Sequence, residues 1–199
     1  MKLQAGLSLI AVVMLTLSVA LDVGEKTLFI ERYPDEPMQL VDVRVSGQSV
    51  KDRVTENARY ANKWGNDVIK FTEGDDWFKR VSLTFRNVSD QPIRGVRSIL
   101  LFEQVGGKNK FQVGLTSSRN LYQTALQPGE EVELTVSDNE MERMLPIIKG
   151  NGVEANDCKI SFSLDAAIYS DTLQWYRGNL LHPDPEVPNK WIPVKRTAQ

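Results

Sequence analysis

The residues of this chain that could do chemistry fall into three small groups. Glu73, Asp75 and Asp76 stand in one acidic stretch. Carboxylates gathered by one loop can chelate calcium, or serve as the acid and base of a glycosidase, for which Asp171 and Asp184 are further candidates. The EF-hand spacing is absent, and the same residues fit a solvated strand entrance. The second group is aromatic. Trp175 and Tyr176 are neighbours in the run Leu173-Gln174-Trp175-Tyr176-Arg177, so in a strand they point to opposite faces. With Trp191 and Trp64, the outward ring would form a platform for sugar rings or a partner protein. The alternative puts Trp175 in the core and Tyr176 with Trp191 beneath the Pro-rich ending.

The third group is the single histidine and the single cysteine, His182 and Cys158. One histidine excludes a zinc site built on two, and a Cys-His or Ser-His pair would have to recruit His182 from a Pro-rich tail. A solvated loop histidine is the simpler reading. Cys158 has no internal partner for a disulfide and fits a small, half-buried residue at the start of a strand. Gly106-Gly107 and Gly150-Asn151-Gly152 lack the strand, loop and helix context that cradles phosphate, and read as turns. No catalytic residue, cofactor or metal is assigned on this basis.

Charge narrows the partners. With 24 Lys and Arg against 26 Asp and Glu, the formal net charge is −2, which leaves no electrostatic footprint for nucleic acid or an anionic membrane. The start of the chain points to export. Lys2 precedes an uncharged apolar run from Leu3 to Ala20 that ends in Ser18-Val19-Ala20, the small-x-small pattern of signal cleavage. Residues 1–20 are therefore expected to be a signal peptide, with an uncleaved membrane anchor as the alternative.

The elements that must position these groups are mostly strands. Leu40 to Val45 alternates, Val68 to Phe71 is a short apolar piece, and Trp77, Val81, Leu83 and Phe85 share one parity. The polar run Asn87 to Pro92 stops that strand, because Asn, Ser and Asp side chains bond nearby backbone and Pro cannot donate to a ladder. Ile99 to Phe102 is apolar on both parities, as expected of the most buried strand. Phe111 to Leu115 and Val132 to Val136 alternate again, the latter after the type II turn signal Gln127-Pro128-Gly129-Glu130. Ser137 and Glu140 have capping-box spacing, which predicts a short helix over Asp138 to Leu145 ended by Pro146. Ile160, Phe162, Leu164, Ala166 and Ile168 should form one unbroken apolar face.

Together these predict an all-β, immunoglobulin-like antiparallel sandwich with one connecting helix. The expected organisation is a lead-in over 21–67, irregular from Gln48 to Asp67, a sandwich core over 68–178, and a Pro-rich tail over 179–199 packed on the outside. The segments Asp75-Asp76-Trp77-Phe78-Lys79, Asn87 to Ile93, Leu126 to Glu130, and Trp175 to Gly178 leading to Asp184 to Trp191 resemble a group of uncharacterised secreted bacterial proteins with an immunoglobulin-like sandwich. The resemblance implies fold and export and supplies no activity.

The function expected from these readings is that of a non-catalytic, exported, monomeric module that meets a protein or glycan in the periplasm or at the cell surface. Its candidate surface is Glu73, Asp75, Asp76, Trp175, Tyr176 and Trp191. The alternative is a carbohydrate-binding or carbohydrate-cleaving protein using the same residues. Asn87-Val88-Ser89 also matches a glycosylation sequon, which would carry a glycan only in a eukaryotic source and on an exposed turn.

Overall fold

The computed structural model describes residues 24–50, 54–56, 66–74, 76–152 and 158–194. The expected signal segment, Trp64 and Asp75 lie outside the described residues. In chain order the strands are β1 (Gly24–Glu31), β2 (Met38–Val45), β3 (Gln48–Ser49), β4 (Val54–Glu56), β5 (Asn66–Glu73), β6 (Val81–Asn87), β7 (Gly95–Gln104), β8 (Lys110–Ser117) and β9 (Glu131–Val136). After the helix α1 (Asp138–Gly150) come β10 (Cys158–Ser170), β11 (Leu173–Tyr176), β12 (Asn179–Pro183) and β13 (Trp191–Pro193). Among the described residues the fold is all-β with one α-helix, and all but one of the strand pairs are antiparallel. Among the described residues no helix is long and apolar enough to cross a membrane.

Two layers face each other across one core. β3, β2, β6 and β9 pair in that order. β8 then joins the layers, because Leu115 to Ser117 pair with β9 while Lys110 to Gly114 pair with β7. β7 in turn pairs with β10 along nearly its whole length. Between the layers Phe85 stacks on Phe162 with ring centroids 5.3 Å apart, and Phe78 meets Phe102 edge-on at 5.3 Å. Leu100 and Phe102 are both at 0% exposure in the core, but Leu101 on the other parity is only half-buried, and β10, buried continuously from Ile160 to Ala167, is the more covered strand, which corrects the expectation for Ile99 to Phe102.

β10 forks the second layer. Along the edge that β7 leaves open, Ile160 to Ser163 pair in parallel with Leu28 to Glu31 of β1, and Ala166 to Ser170 pair antiparallel with β11. One arm continues from β1 to β5 and β4, the other from β11 to β12 and β13. At the branch the register against β7 slips between Leu164 and Ala166, which makes Asp165 the extra residue of a β-bulge. Because side chains alternate with a period of two, the slip changes which residues face inward. Ile160, Phe162 and Leu164 belong to the core before it and Ala167 after it, so the expected unbroken face through Ala166 and Ile168 is corrected.

Other expectations are corrected by local geometry. Trp77–Arg80 is a 3-10 turn rather than part of the strand, and this lets adjacent Trp77 and Phe78 both enter the core at 2% exposure. The stretch expected to be irregular contains β3, β4 and the start of β5, and the lead-in contains β1, whose Leu28 and Ile30 are buried. The described part of the Pro-rich ending, residues 179–194, does not lie over the outside. It extends the sheet as β12 and β13, with Pro183 and Pro193 at strand ends where their missing N–H groups interrupt little pairing. His182 accordingly sits in a strand, its Nδ1 2.9 Å from the Pro183 carbonyl.

Turn and cap chemistry agree with the sequence. Glu130 N–H bonds the Gln127 carbonyl at 3.0 Å with Gly129 at φ 81°, as a type II turn needs. Ser137 Oγ accepts the Glu140 N–H at 3.3 Å and caps α1. The helix runs past Pro146 to Gly150, since one missing donor removes a single bond and Asn151 N–H still reaches the Ile147 carbonyl at 3.2 Å.

Candidate functional site

The acidic entrance is engaged by a cation. Glu73 ends β5 and Asp76 precedes the 3-10 turn, and one turn later the Arg80 Nη2 lies 2.8 Å from Asp76 Oδ1 and 3.5 Å from Glu73 Oε2. A guanidinium shared by two carboxylates stands where a calcium ion or a sugar hydroxyl would have to bind. Among the described residues no three His, Cys, Asp or Glu side chains come together to hold a metal. Asp184 is likewise held, by Lys190 Nζ at 2.8 Å and the Glu186 N–H at 2.9 Å, and these bonds keep its carboxyl below the usual range.

The fork positions the expected aromatic residues and separates them. Trp175 lies opposite Ala167, at 3% exposure in the core, edge-on to Tyr33 at 6.1 Å, with its Nε1–H donating to the Pro34 carbonyl at 3.4 Å. Tyr176 takes the outer face, where the guanidinium groups of Arg97 and Arg177 lie 5.4 and 5.8 Å from its ring centre. Tyr176 pairs with Asn179 at one end of β12 and Trp191 with Pro183 at the other. At about 3.3 Å per residue the backbone positions of the two residues are roughly 13 Å apart along that strand.

Charges fix the branch itself. Arg177, at φ 43°, and Gly178, at φ 87°, make the two-residue turn from β11 to β12. That turn brings the Arg177 Nε and Nη2 to Asp165 Oδ1 at 2.9 and 2.8 Å, and Ser163 Oγ donates to the same oxygen at 2.9 Å. A Cβ on Gly178 would come within 2.9 Å of Pro34 Cδ, so the turn is also pressed against the β1–β2 connection. In that connection Glu36 accepts the Tyr33 N–H at 3.0 Å and pairs with Arg32 at 3.2 Å. Burial, opposed by Arg32 and the Tyr33 N–H and reinforced by Asp67, pushes its carboxyl up to about 7. The cleft beside the turn, about 360 Å³ and lined by Pro34, Asp35, Asn179, Leu180 and Val194, presents no aromatic ring.

A different loop presents one. Between β8 and β9, Leu121 is buried at 3% exposure and Leu126 at 0%, while Tyr122 between them is 74% exposed. Leu126 is tied to Ile93 by reciprocal backbone bonds of 2.9 and 2.8 Å, and Asn120 Oδ1 accepts the Tyr122 N–H at 3.1 Å. Beneath this loop Asn87, at 0% exposure, donates Nδ2 to the carbonyls of Gln91 and Leu126 at 2.8 and 2.9 Å. Its Oδ1 accepts from the Ser89 N–H and Oγ at 3.0 and 2.7 Å. The sequon asparagine is therefore a buried structural keystone, and its Nδ2 is closed to a glycan in the folded chain.

Next to Tyr122 opens a cavity of about 370 Å³, walled by Gly95, Thr116, Ser118, Arg119 and Asn120 among others. Arg119 Nη2 is held by Glu130 Oε2 at 2.7 Å, and that oxygen also takes the Gln127 N–H at 2.8 Å. The Gln127 N–H, then Arg119, hold the Glu130 carboxyl below its ordinary range. The Arg119 Nε is buried and has no acceptor. Gly95 makes room for the ring, since a Cβ there would lie 3.2 Å from the Tyr122 hydroxyl and 3.3 Å from its ring carbon Cζ.

Tyr122 was not among the residues picked out by pattern, because a tyrosine in a polar loop carries no periodic signal. The Leu121 and Leu126 anchors on either side were the one usable hint. Comparison with protein families, with curated proteins and with solved structures returns no match.

Proposed function

We propose that this chain is a non-catalytic, exported binding module with an immunoglobulin-like sandwich, acting in the periplasm or at the cell surface through the loop that carries Tyr122. The strand order supports the fold reading. β2, β6, β9 and the end of β8 follow the A-B-E-D order of such domains, and the start of β8, β7, β10 and β11 follow C′-C-F-G. The leader-like residues 1–20 support export.

One observation carries the binding role. A large aromatic ring is held 74% exposed by a loop anchored on both sides in the core, beside a cavity whose arginine is fixed in place. Exposed rings on rigid supports are the usual anchors of recognition surfaces. Against the hydrolase alternative stand the arginine shared by Glu73 and Asp76 and the lysine on Asp184.

A photo-crosslinking residue placed at position 122, and in a second protein at Val105, which is equally exposed in another turn, tests the role in cells that export the chain. A defined crosslinked species from position 122 and none from position 105 is the expected result. Equal crosslinking, or none at 122, rejects this surface. Mass spectrometry of the exported chain should find Leu21 at its N-terminus, and an intact residue 1–20 segment would make it an anchored protein instead.

A further inference from the structure

We propose that the cavity beside Tyr122 is a saccharide subsite, in which one pyranose ring of a neutral oligosaccharide lies on the tyrosine and hydrogen-bonds to Ser118, Asn120 and Thr116. This deepens the binding-module reading and rests on it. Three features of the site select the ligand class.

The first is shape. A cavity of about 370 Å³ falls in the size range of small-molecule sites and has room for one sugar ring with its waters. Tyr122 supplies an apolar face of the kind on which the axial C–H groups of a pyranose settle, because the ring face is electron-rich. Its phenol end rests over Gly95, where an added Cβ would press on the hydroxyl at 3.2 Å, so the glycine gives the ring a defined seat.

The second feature is the polar lining. Thr116, Ser118 and Asn120 are exposed, and no described residue takes up the Thr116 or Ser118 hydroxyl or the Asn120 Nδ2 amide. Asn120 is oriented by the two amides its Oδ1 accepts, from Tyr122 at 3.1 Å and Gln123 at 3.4 Å, which fixes the plane of the side chain. Two hydroxyls, each able to donate or accept, and an amide Nδ2 that donates match the alternating hydroxyls of a sugar.

The third feature is charge. Arg119 is the cation of the lining, and Glu130 already engages it at 2.7 Å. Glu130 on its Nη2 already balances the Arg119 charge, so an added carboxylate, phosphate or sulfate would meet a neutralised pair with a carboxylate beside it, whereas a neutral ligand meets no such repulsion. The observation that favours a sugar over an anion is thus the same bond that fixes Arg119.

Titration of the ¹⁵N-labelled chain, starting at Leu21, with chitotriose, cellotriose and maltotriose, and with a sulfated heparin disaccharide, tests the assignment. At least one neutral trisaccharide should shift amides of Gly95, Val96 and Ser117 to Tyr122 while leaving the Glu73 to Arg80 region still. Tyr122→Ala should weaken that binding about tenfold or more, and Tyr122→Phe, which keeps the ring, should hold it within about threefold. Gly95→Ala should weaken it as well, by lifting the ring from its seat. The assignment falls if none of the three neutral sugars shifts these amides at tens of millimolar, if Tyr122→Ala binds as well as the parent chain, or if only the sulfated disaccharide binds. Should the sugars fail while crosslinking from position 122 persists, the binding module stands and only its ligand class is overturned.

Discussion

The fork beside β10 and the loop that carries Tyr122 use the same pieces to opposite ends. Each joins an arginine to a carboxylate next to an aromatic ring. At the fork, Arg177 and Asp165 meet at 2.8 Å with 41% and 12% of their side chains exposed, and Trp175 beside them is in the core. At the loop, Arg119 and Glu130 meet at 2.7 Å with 35% and 45% of their side chains exposed, and the ring stands in solvent. Burial of the carboxylate, rather than residue type, decides which pair holds the fold and which shapes a surface. In a dry setting the arginine offsets the cost of a desolvated carboxylate, while in water the same pair contributes little energy and serves to orient its members.

The largest effect should come from beneath the loop, where the surface rests on a buried group. Asn87→Ala removes four side-chain hydrogen bonds and leaves the Leu126 carbonyl without its side-chain donor inside the molecule. A loss of about 4 kcal/mol in urea unfolding is expected. A loss below about 1 kcal/mol would mean that the loop is supported by its leucines alone.

The two ion pairs come next and test the comparison directly. Arg177→Met strands the buried Asp165 and should cost about 3 kcal/mol. Arg119→Met, at the exposed pair, should cost less than about 1 kcal/mol. Equal costs would break the argument that burial separates them.

Acid and base offer a third probe of the fork. In the folded chain Glu36 titrates at about 7 against an ordinary value of 4.5, because burial disfavours its charge. The folded state therefore holds a proton that the unfolded chain has released across that window, and stability falls as pH rises through it, by on the order of 2 to 3 kcal/mol. The charged groups facing it are Arg32 in the same connection and Asp67 from β5. Glu36→Gln should flatten the difference between unfolding at pH 5 and pH 7.5. An unchanged slope would assign the dependence to another group.

What was legible in the sequence divides along the same line. Local chemistry could be read directly, including the strand ended at Asn87, the Pro128-Gly129 turn and the Ser137 cap, since each is decided by residues within a few positions. The parallel pairing of β1 with β10 could not, because Leu28 and Ile30 look like any short apolar piece until a strand some 130 residues away receives them. The bulge at Asp165 was hidden for a related reason. Ala166 and Ala167 are equally acceptable on either face, so the alternation reads smoothly across the slip, and Arg177 twelve residues later reveals it only through a hydrogen bond. The acidic entrance illustrates the reverse error: three carboxylates within four residues attract attention, while the arginine that engages two of them sits in plain view at Arg80 without a pattern to mark it.

The smallest expected effect is the most telling about the loop. Tyr122 is 74% exposed, and its neighbours Leu121 and Leu126 provide the buried contacts of the segment. A residue kept for folding would be costly to truncate, whereas one kept for recognition should be almost free to remove. Tyr122→Ala is therefore expected to change unfolding by no more than about 0.5 kcal/mol, within the range of ordinary surface substitutions. Leu121→Ala, one position away, should cost about 3 kcal/mol through the cavity it leaves. If Tyr122→Ala instead costs as much as its neighbour, the phenol end over Gly95 is a packing contact rather than a seat, and the contrast between loop and fork disappears. If the two variants separate as expected, stability gives no reason for a large aromatic ring at this position, and binding at the surface supplies one.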